Sequence, residues 1–179
     1  MNKARIIPVL LILMLIGGCA LRVVRRDSVP LYVHENAREL VKLVNRYRVR
    51  NGLHMLEWDG YLYFICLNHA QDMRERGYFS HYSPDYLGPF DRLRSARVEY
   101  LYAGENIAHG QLTPEKVLSD WLHSPSHRRN IESALYTHHA VAYDPVGNYW
   151  THMFVNYGTG YYMISGFNST RRVGYRTRN

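Results

Sequence analysis

Cysteine is nearly absent from this chain: Cys19 and Cys66 are the two in 179 residues. A small fold stapled by several disulfides is thereby excluded, and stability has to come from packing. No internal repeat is visible, and 13 Gly and 7 Pro without a period give no support to collagen, a coiled coil or a disordered tail protein. The apolar run from Ile6 to Ile16 falls short of the roughly 20 residues that a membrane-spanning helix needs. Acids are in the minority, 15 against 22 Lys and Arg, and none follows Asp144. The resulting charge of +7 is modest and does not call for a nucleic-acid partner. What is present, 46% hydrophobic and 21% charged residues, suits one globular domain with a real core.

The first residues read as a targeting segment. Lys3 and Arg5 precede the short apolar run, which ends in Gly17, Gly18 and Cys19. A cationic start, a brief apolar region and small residues before a break are the features of a secretory signal. The ending Ile16-Gly17-Gly18-Cys19 resembles the bacterial lipobox. That resemblance implies cleavage after residue 18 and acyl chains of the palmitate type on Cys19, leaving the remainder extracytoplasmic and membrane-anchored. Loss of Lys3 and Arg5 takes the charge from +7 down by 2, to +5. Residues 19–33 then form a tether, in which Arg22, Arg25 and Arg26 could reinforce the anchor at about 1 kcal/mol each on an anionic surface. With Cys19 acylated, Cys66 has no partner and is expected as an inert buried thiol.

Beyond the tether, Ala37, Leu40, Val41, Val44 and Tyr47 recur at helical spacing between His34 and Asn51. A second helix starts near Asp59 and stops at Gly77, with Leu62, Ile65, Cys66, His69, Ala70 and Met73 on one face and His69 expected as a hydrogen-bonded core residue. Residues 77–89 read as loop, followed by a short helix from Phe90 to Ala96. Thr113-Pro114-Glu115 combines a capping hydroxyl, a first-turn proline and an acid at the positive end of the dipole, so a helix begins there. Another covers Ser126 to Ala134. Period-two alternation over His138 to Tyr143 and Tyr149 to Val155, split by the turn at residues 144–148, predicts an antiparallel hairpin. The order indicates an α+β domain over residues 34–157. Residues 158–179 form a Gly- and Tyr-rich, then Arg-rich tail.

Three strings carry chemistry: Gly77-Tyr78-Phe79-Ser80-His81, Gly104-Glu105-Asn106-Ile107-Ala108, and Ser124-Pro125-Ser126-His127-Arg128-Arg129-Asn130-Ile131. Preceded by Leu56-Glu57-Trp58-Asp59 and His69-Ala70-Gln71-Asp72-Met73, and followed by Tyr149-Trp150, they resemble the bacterial branch of the CAP, or SCP-like, superfamily. The resemblance covers roughly residues 36 to 157. It implies an α-β-α sandwich with a small antiparallel sheet between helical layers and an open cleft lined by His81, Glu105 and His127. The position of a fourth, acidic member holds Ser124 instead, and Asp120 and Glu115 fit a solvated helix face better.

Two imidazoles and a carboxylate suit a divalent ion such as zinc or calcium, and equally a metal-free hydrogen-bonded cluster. His109, His123, His138, His139 and His152 are read as surface or hairpin residues, Asn106 and Asn130 as backbone ties around the cleft. Arg128 and Arg129 either hold the loop after His127 or face an anion. The leading reading is a non-enzymatic envelope module that binds a metal or a small lipidic or polar ligand. A metal-assisted or serine hydrolase using Ser80 or Ser83 is the alternative, and a structural envelope protein touching anionic polymers through its Arg-rich ends is a second.

Overall fold

The computed structural model describes residues 32–158. The expected signal segment, Cys19 with its expected acylation, most of the expected tether and residues 159–179 of the tail lie outside the described residues.

Helix α1 spans Glu35–Arg50, strand β1 Glu57–Trp58 and helix α2 Gly60–Arg76. The short helix α3 (Pro89–Ser95) leads into strand β2 (Tyr102–His109). Helices α4 (Pro114–His123) and α5 (Pro125–Glu132) precede the hairpin of β3 (His138–Asp144) and β4 (Tyr149–Asn156). Local chemistry sets these limits as expected. Asp59 caps α2 by accepting from the N–H groups of Tyr61 and Leu62, and Gly77 ends the helix in the left-handed conformation at φ 68°. Thr113 accepts from the N–H of Lys116 to start α4.

The strands form one sheet in the order β1-β3-β4-β2. Pairing β3–β4 is antiparallel, as the hairpin reading predicts, and β4–β2, on a strand the pattern does not announce, is antiparallel too, but β1 joins β3 in parallel through Glu57 and Trp58, so the sheet is mixed rather than purely antiparallel. Strand β2 is an edge. Residues directly opposite each other share a face, so the register places Glu105 with Met153 and Ala140, and Asn106 with His152 and Val141.

Helix α2 covers the first face. Thr151 Oγ1 donates to the Cys66 carbonyl at 2.8 Å, and the Cys66 thiol points at the Ala140 carbonyl. Helices α1, α4 and α5 cover the second, where the Trp121 ring lies 5.5 Å from that of His152 and the buried Arg48 guanidinium donates to the carbonyls of Ile131 and Ser133. The expected three-layer sandwich is therefore present. Val33, just ahead of α1, packs into the core.

His139 and His152 lie in the hairpin strands, one of the two places expected of them, and not at the surface: both are fully buried on the second face, with Nδ1 of His139 3.0 Å from Nε2 of His152. Alternation along β3 and β4 predicts a solvated face, but both faces of this sheet carry helices and neither is wet. His109 is exposed, stacked on Tyr149 at 4.1 Å; His123 is exposed and His138 half-buried beside Glu57.

Candidate functional site

The site is assembled where the edge strand β2 meets the loop after α2. Glu105 projects from β2 onto the α2 face with its side chain 1% exposed. Its Oε1 accepts from His81 Nδ1 at 2.8 Å, and its Oε2 accepts from Arg92 Nη2 at 2.6 Å. Burial opposes ionisation of this carboxyl, yet the His81 hydrogen bond and the Arg92 charge outweigh it and hold the group below its ordinary range. Glu105 is therefore an anion at neutral pH, and its charge is matched inside the protein.

Arg92 does two jobs from the first turns of α3. Nη2 holds the carboxylate, while Nη1 donates to the carbonyls of His81 at 3.0 Å and Leu87 at 3.1 Å. One planar guanidinium thus fixes both the loop that carries His81 and the acid that orients it. Little in the sequence signals this role, since Arg92 stands among Asp91 and Arg94 on a short helix like any solvated residue.

His69 also reaches the site, from α2. Tyr78 donates its hydroxyl proton to Asp72 Oδ2 at 2.5 Å, so its contact with His69 Nδ1 at 3.4 Å is satisfied when Nδ1 carries the proton. That tautomer leaves Nε2 a bare lone pair, 4.0 Å from Glu105 Oε1 and without a hydrogen bond. Burial keeps this imidazole neutral by pushing its pKa down to about 4, although the Glu105 charge pulls the other way. His69 is core, as expected, and half satisfied.

His127 comes from the other layer. It stands on the first turn of α5, half-buried, its ring 6.4 Å from that of Trp121. Asn106, on the second face of β2, donates to the His127 carbonyl at 3.0 Å. Asn130 donates to both the Glu105 carbonyl and Asn106 Oδ1. These are the backbone ties expected of the two asparagines. Gly104 allows this close docking: a Cβ there would collide with the Tyr136 hydroxyl and lie 2.9 Å from Asn130 Oδ1. The His127 pKa is lowered first by burial and then by the charge of His81. The structure thus bonds His81 to Glu105, while the His127 ring stands by Trp121 with no hydrogen bond joining it to either.

A three-ligand metal centre does not fit this arrangement. Both Glu105 oxygens are engaged, and the His81 nitrogen nearest the carboxylate is spent on it. Among the described residues no group of three or more His, Cys, Asp or Glu is disposed to hold a metal ion. The serine alternatives are occupied too. Ser80 Oγ accepts from the N–H of Tyr82 at 3.1 Å, and Ser83 Oγ from those of Asp85 and Leu87. Ser124 Oγ lies 3.2 Å from Ser126 Oγ, and Asp120 is paired with Lys116 and Gln111 on the outer face of α4. Arg128 is turned to Glu132, away from a ligand role. Cys66 is sealed in the core, its thiol pushed up by burial to about 12.

Known proteins share this framework. YkwD of Bacillus subtilis (strain 168) is 41% identical over 128 residues, which are 72% of this chain and 50% of that protein. YlbC of the same organism, described as a membrane protein, is 36% identical over 66% of this chain and 34% of its own length. The chain therefore spans half or less of these relatives. Among solved structures, an extracellular protein containing an SCP domain from Bacillus anthracis str. Ames is 35% identical with a TM-score of 0.63, over 68% of this chain and 40% of that one. An outer surface protein of Borrelia burgdorferi, 19% identical with a TM-score of 0.63 over 69% of this chain and 93% of that one, shares the fold. The model of the cysteine-rich secretory protein family, CAP, matches residues 41–162, spanning the layers and all three site strings, and the chain belongs to that family.

Proposed function

We propose that this protein is an extracytoplasmic CAP domain, held to a membrane by acylation of Cys19, whose cleft at His81, Glu105 and His127 binds a small ligand rather than cleaving one. The observation that carries the reading is the state of Glu105. It is an ionised acid buried behind His81 and matched by Arg92, which orients one half-exposed imidazole toward solvent without activating any hydroxyl. An imidazole backed by a carboxylate can serve hydrolysis only with a nucleophile in hydrogen-bond reach, and the nearby serines are committed to turns. The described extracellular and membrane character of relatives in Bacillus supports the location.

Two measurements test it. Palmitate fed to cells expressing the full chain should label the wild type and not Cys19→Ala; label persisting in the variant removes the anchor from the proposal. Hydrolysis of a peptide and ester panel should be absent from wild type and from His81→Ala alike. Turnover abolished by that substitution would replace binding with catalysis.

A further inference from the structure

At the end of β2 opposite Tyr102, the chain turns from His109 into α4 and encloses an open dish of about 510 Å³, whose lining includes His109, Gln111, Leu112, Thr113, Lys116 and Asp120. None of these residues belongs to the cleft around Glu105. The dish is held from beneath. The Gly110 N–H donates to the Asn148 carbonyl at 2.9 Å, and Trp150 Nε1 donates to the Gln111 carbonyl at 2.9 Å, so the loop is tied to the β3–β4 turn and to β4. Asp120 accepts from Gln111 Nε2 on one oxygen at 3.0 Å and from Lys116 Nζ on the other at 2.5 Å. Three polar side chains are thus set by one another before any ligand arrives, and the rotamer freedom that binding would otherwise remove is already given up. One wall is aromatic. The His109 ring stacks on Tyr149 at 4.1 Å and 17°, and Phe79, half in solvent, stands 5.6 Å from His109 at 38°.

The class of ligand follows from charge and shape. Lys116 and Asp120 cancel each other, so an ion of either sign meets no uncompensated partner there. Hydrogen-bonding capacity is left over, since a carboxylate oxygen accepts more than one bond and an ammonium donates three. Gln111 Oε1 is tucked beneath the dish with no hydrogen-bond partner, and a ligand hydroxyl that draws it outward meets an acceptor left unmet in the free protein. A purely apolar guest would strip water from Lys116 and Asp120 and return nothing. An aromatic wall beside a neutral array of donors and acceptors suits a molecule with C–H bonds on its faces and hydroxyls round its rim, because the negative face of an aromatic ring attracts polarised C–H bonds. We propose that this dish binds an uncharged pyranose unit of a glycan, one face of the sugar laid on Phe79 and His109 and its hydroxyls bonded to Asp120, Lys116 and Gln111. This second site goes beyond the cleft reading and stands or falls apart from it.

The test follows the three tryptophan indole N–H signals of the full-length chain by NMR, in a phosphocholine detergent free of sugar headgroups, with cellotriose, chitotriose and sorbitol as probes. Trp150, whose N–H rests on the Gln111 carbonyl, reports the dish; Trp121, bonded to the Ile107 carbonyl in the core, reports the fold. At least one trisaccharide should shift Trp150 saturably with Trp121 still, and the tighter of the two separates a plain sugar from an acetamido sugar. Sorbitol, which has the hydroxyls without the ring face, should not saturate. Phe79→Ala and Gln111→Ala should each weaken binding by about fivefold or more, the worth of one aromatic face or one hydrogen bond. If Phe79→Ala disturbs Trp121, His109→Ala takes its place in the comparison. No saturation with either trisaccharide, a response to sorbitol equal to theirs, or unweakened binding in the wall variant or in Gln111→Ala overturns the inference. A sugar that shifts the His81 ring while Trp150 stays still overturns it in favour of the cleft, and failure at the dish leaves the cleft reading as it stands.

Discussion

His81 and the pair His139–His152 lie on opposite sides of one sheet, and they are built on opposite principles. His81 is half-exposed and bonded to Glu105, a buried anion that an arginine has already matched. Behind β3 and β4, His139 and His152 are fully enclosed, bonded to each other, with the second nitrogen of each unpartnered. The cation in their neighbourhood is Arg48, which meets backbone carbonyls and no acid. Burial first, then the Arg48 charge, pushes His139 down to about 3; His152 is pushed well below its ordinary value by burial, then by His139 and Arg48. The same side chain thus faces solvent with its back on an acid in one place and is a neutral packing element in the other. Access to water and to an acid makes the difference.

The sharpest way to break the first arrangement is to remove its arginine. Arg92→Met leaves Glu105 buried without its counter-charge, and unfolding in urea should show a loss of about 3–5 kcal/mol. Adding Glu105→Gln to that variant should return much of it, because the stranded charge goes too. A double variant no more stable than the single would mean that Arg92 acts through the loop carbonyls alone.

The enclosed pair is broken by acid. Folded-state pKa values depressed below the ordinary 6.5 mean that the unfolded chain binds more protons, so the stability due to His139, His152 and His69 is complete above about pH 6.5 and is lost as pH falls toward 4 and 3. Urea midpoints should drop steeply across that window. The double substitution His139→Leu with His152→Met should flatten the acid limb; an unchanged slope would assign it to carboxylates.

Smaller changes probe the seam between the regions. Gly104→Ala places a methyl against Tyr136 and Asn130 and should cost about 1–3 kcal/mol. Asn130→Ala removes the donor to the Glu105 carbonyl and to Asn106, with an expected loss of about 1–2 kcal/mol in urea unfolding and a shift of the His127 ring signal with His81 little moved. Equal movement of both rings would show that the two walls of the cleft are coupled through the strand.

Most of the helical framework was legible in the chain. Asp59, Gly77 and Thr113-Pro114 announce boundaries by chemistry that acts over a few residues, and α2 buries the face expected of it. Strand β2 was not legible, because Gly104, Glu105 and Asn106 are poor strand formers and their burial makes sense only with α2 on one side and α5 on the other. Family resemblance singled out His81, Glu105 and His127, and spacing could not: they come from a loop, a strand and a helix. Arg92 and the contact of His69 with the carboxylate escaped because each depends on what faces it across the fold. The full burial of His139 and His152 within the hairpin was not legible for a related reason, since alternation specifies two faces and says nothing about whether the second is wet.

The edge strand carries one further consequence. The carbonyls of Glu105 and Ile107 face away from β4 and are taken by Asn130 Nδ2 and Trp121 Nε1. An open row of such groups would be a template on which a neighbouring molecule could stack its own strand. With these two carbonyls taken by side chains, copies of the domain that meet along this edge can collide repeatedly and part again, without zipping together.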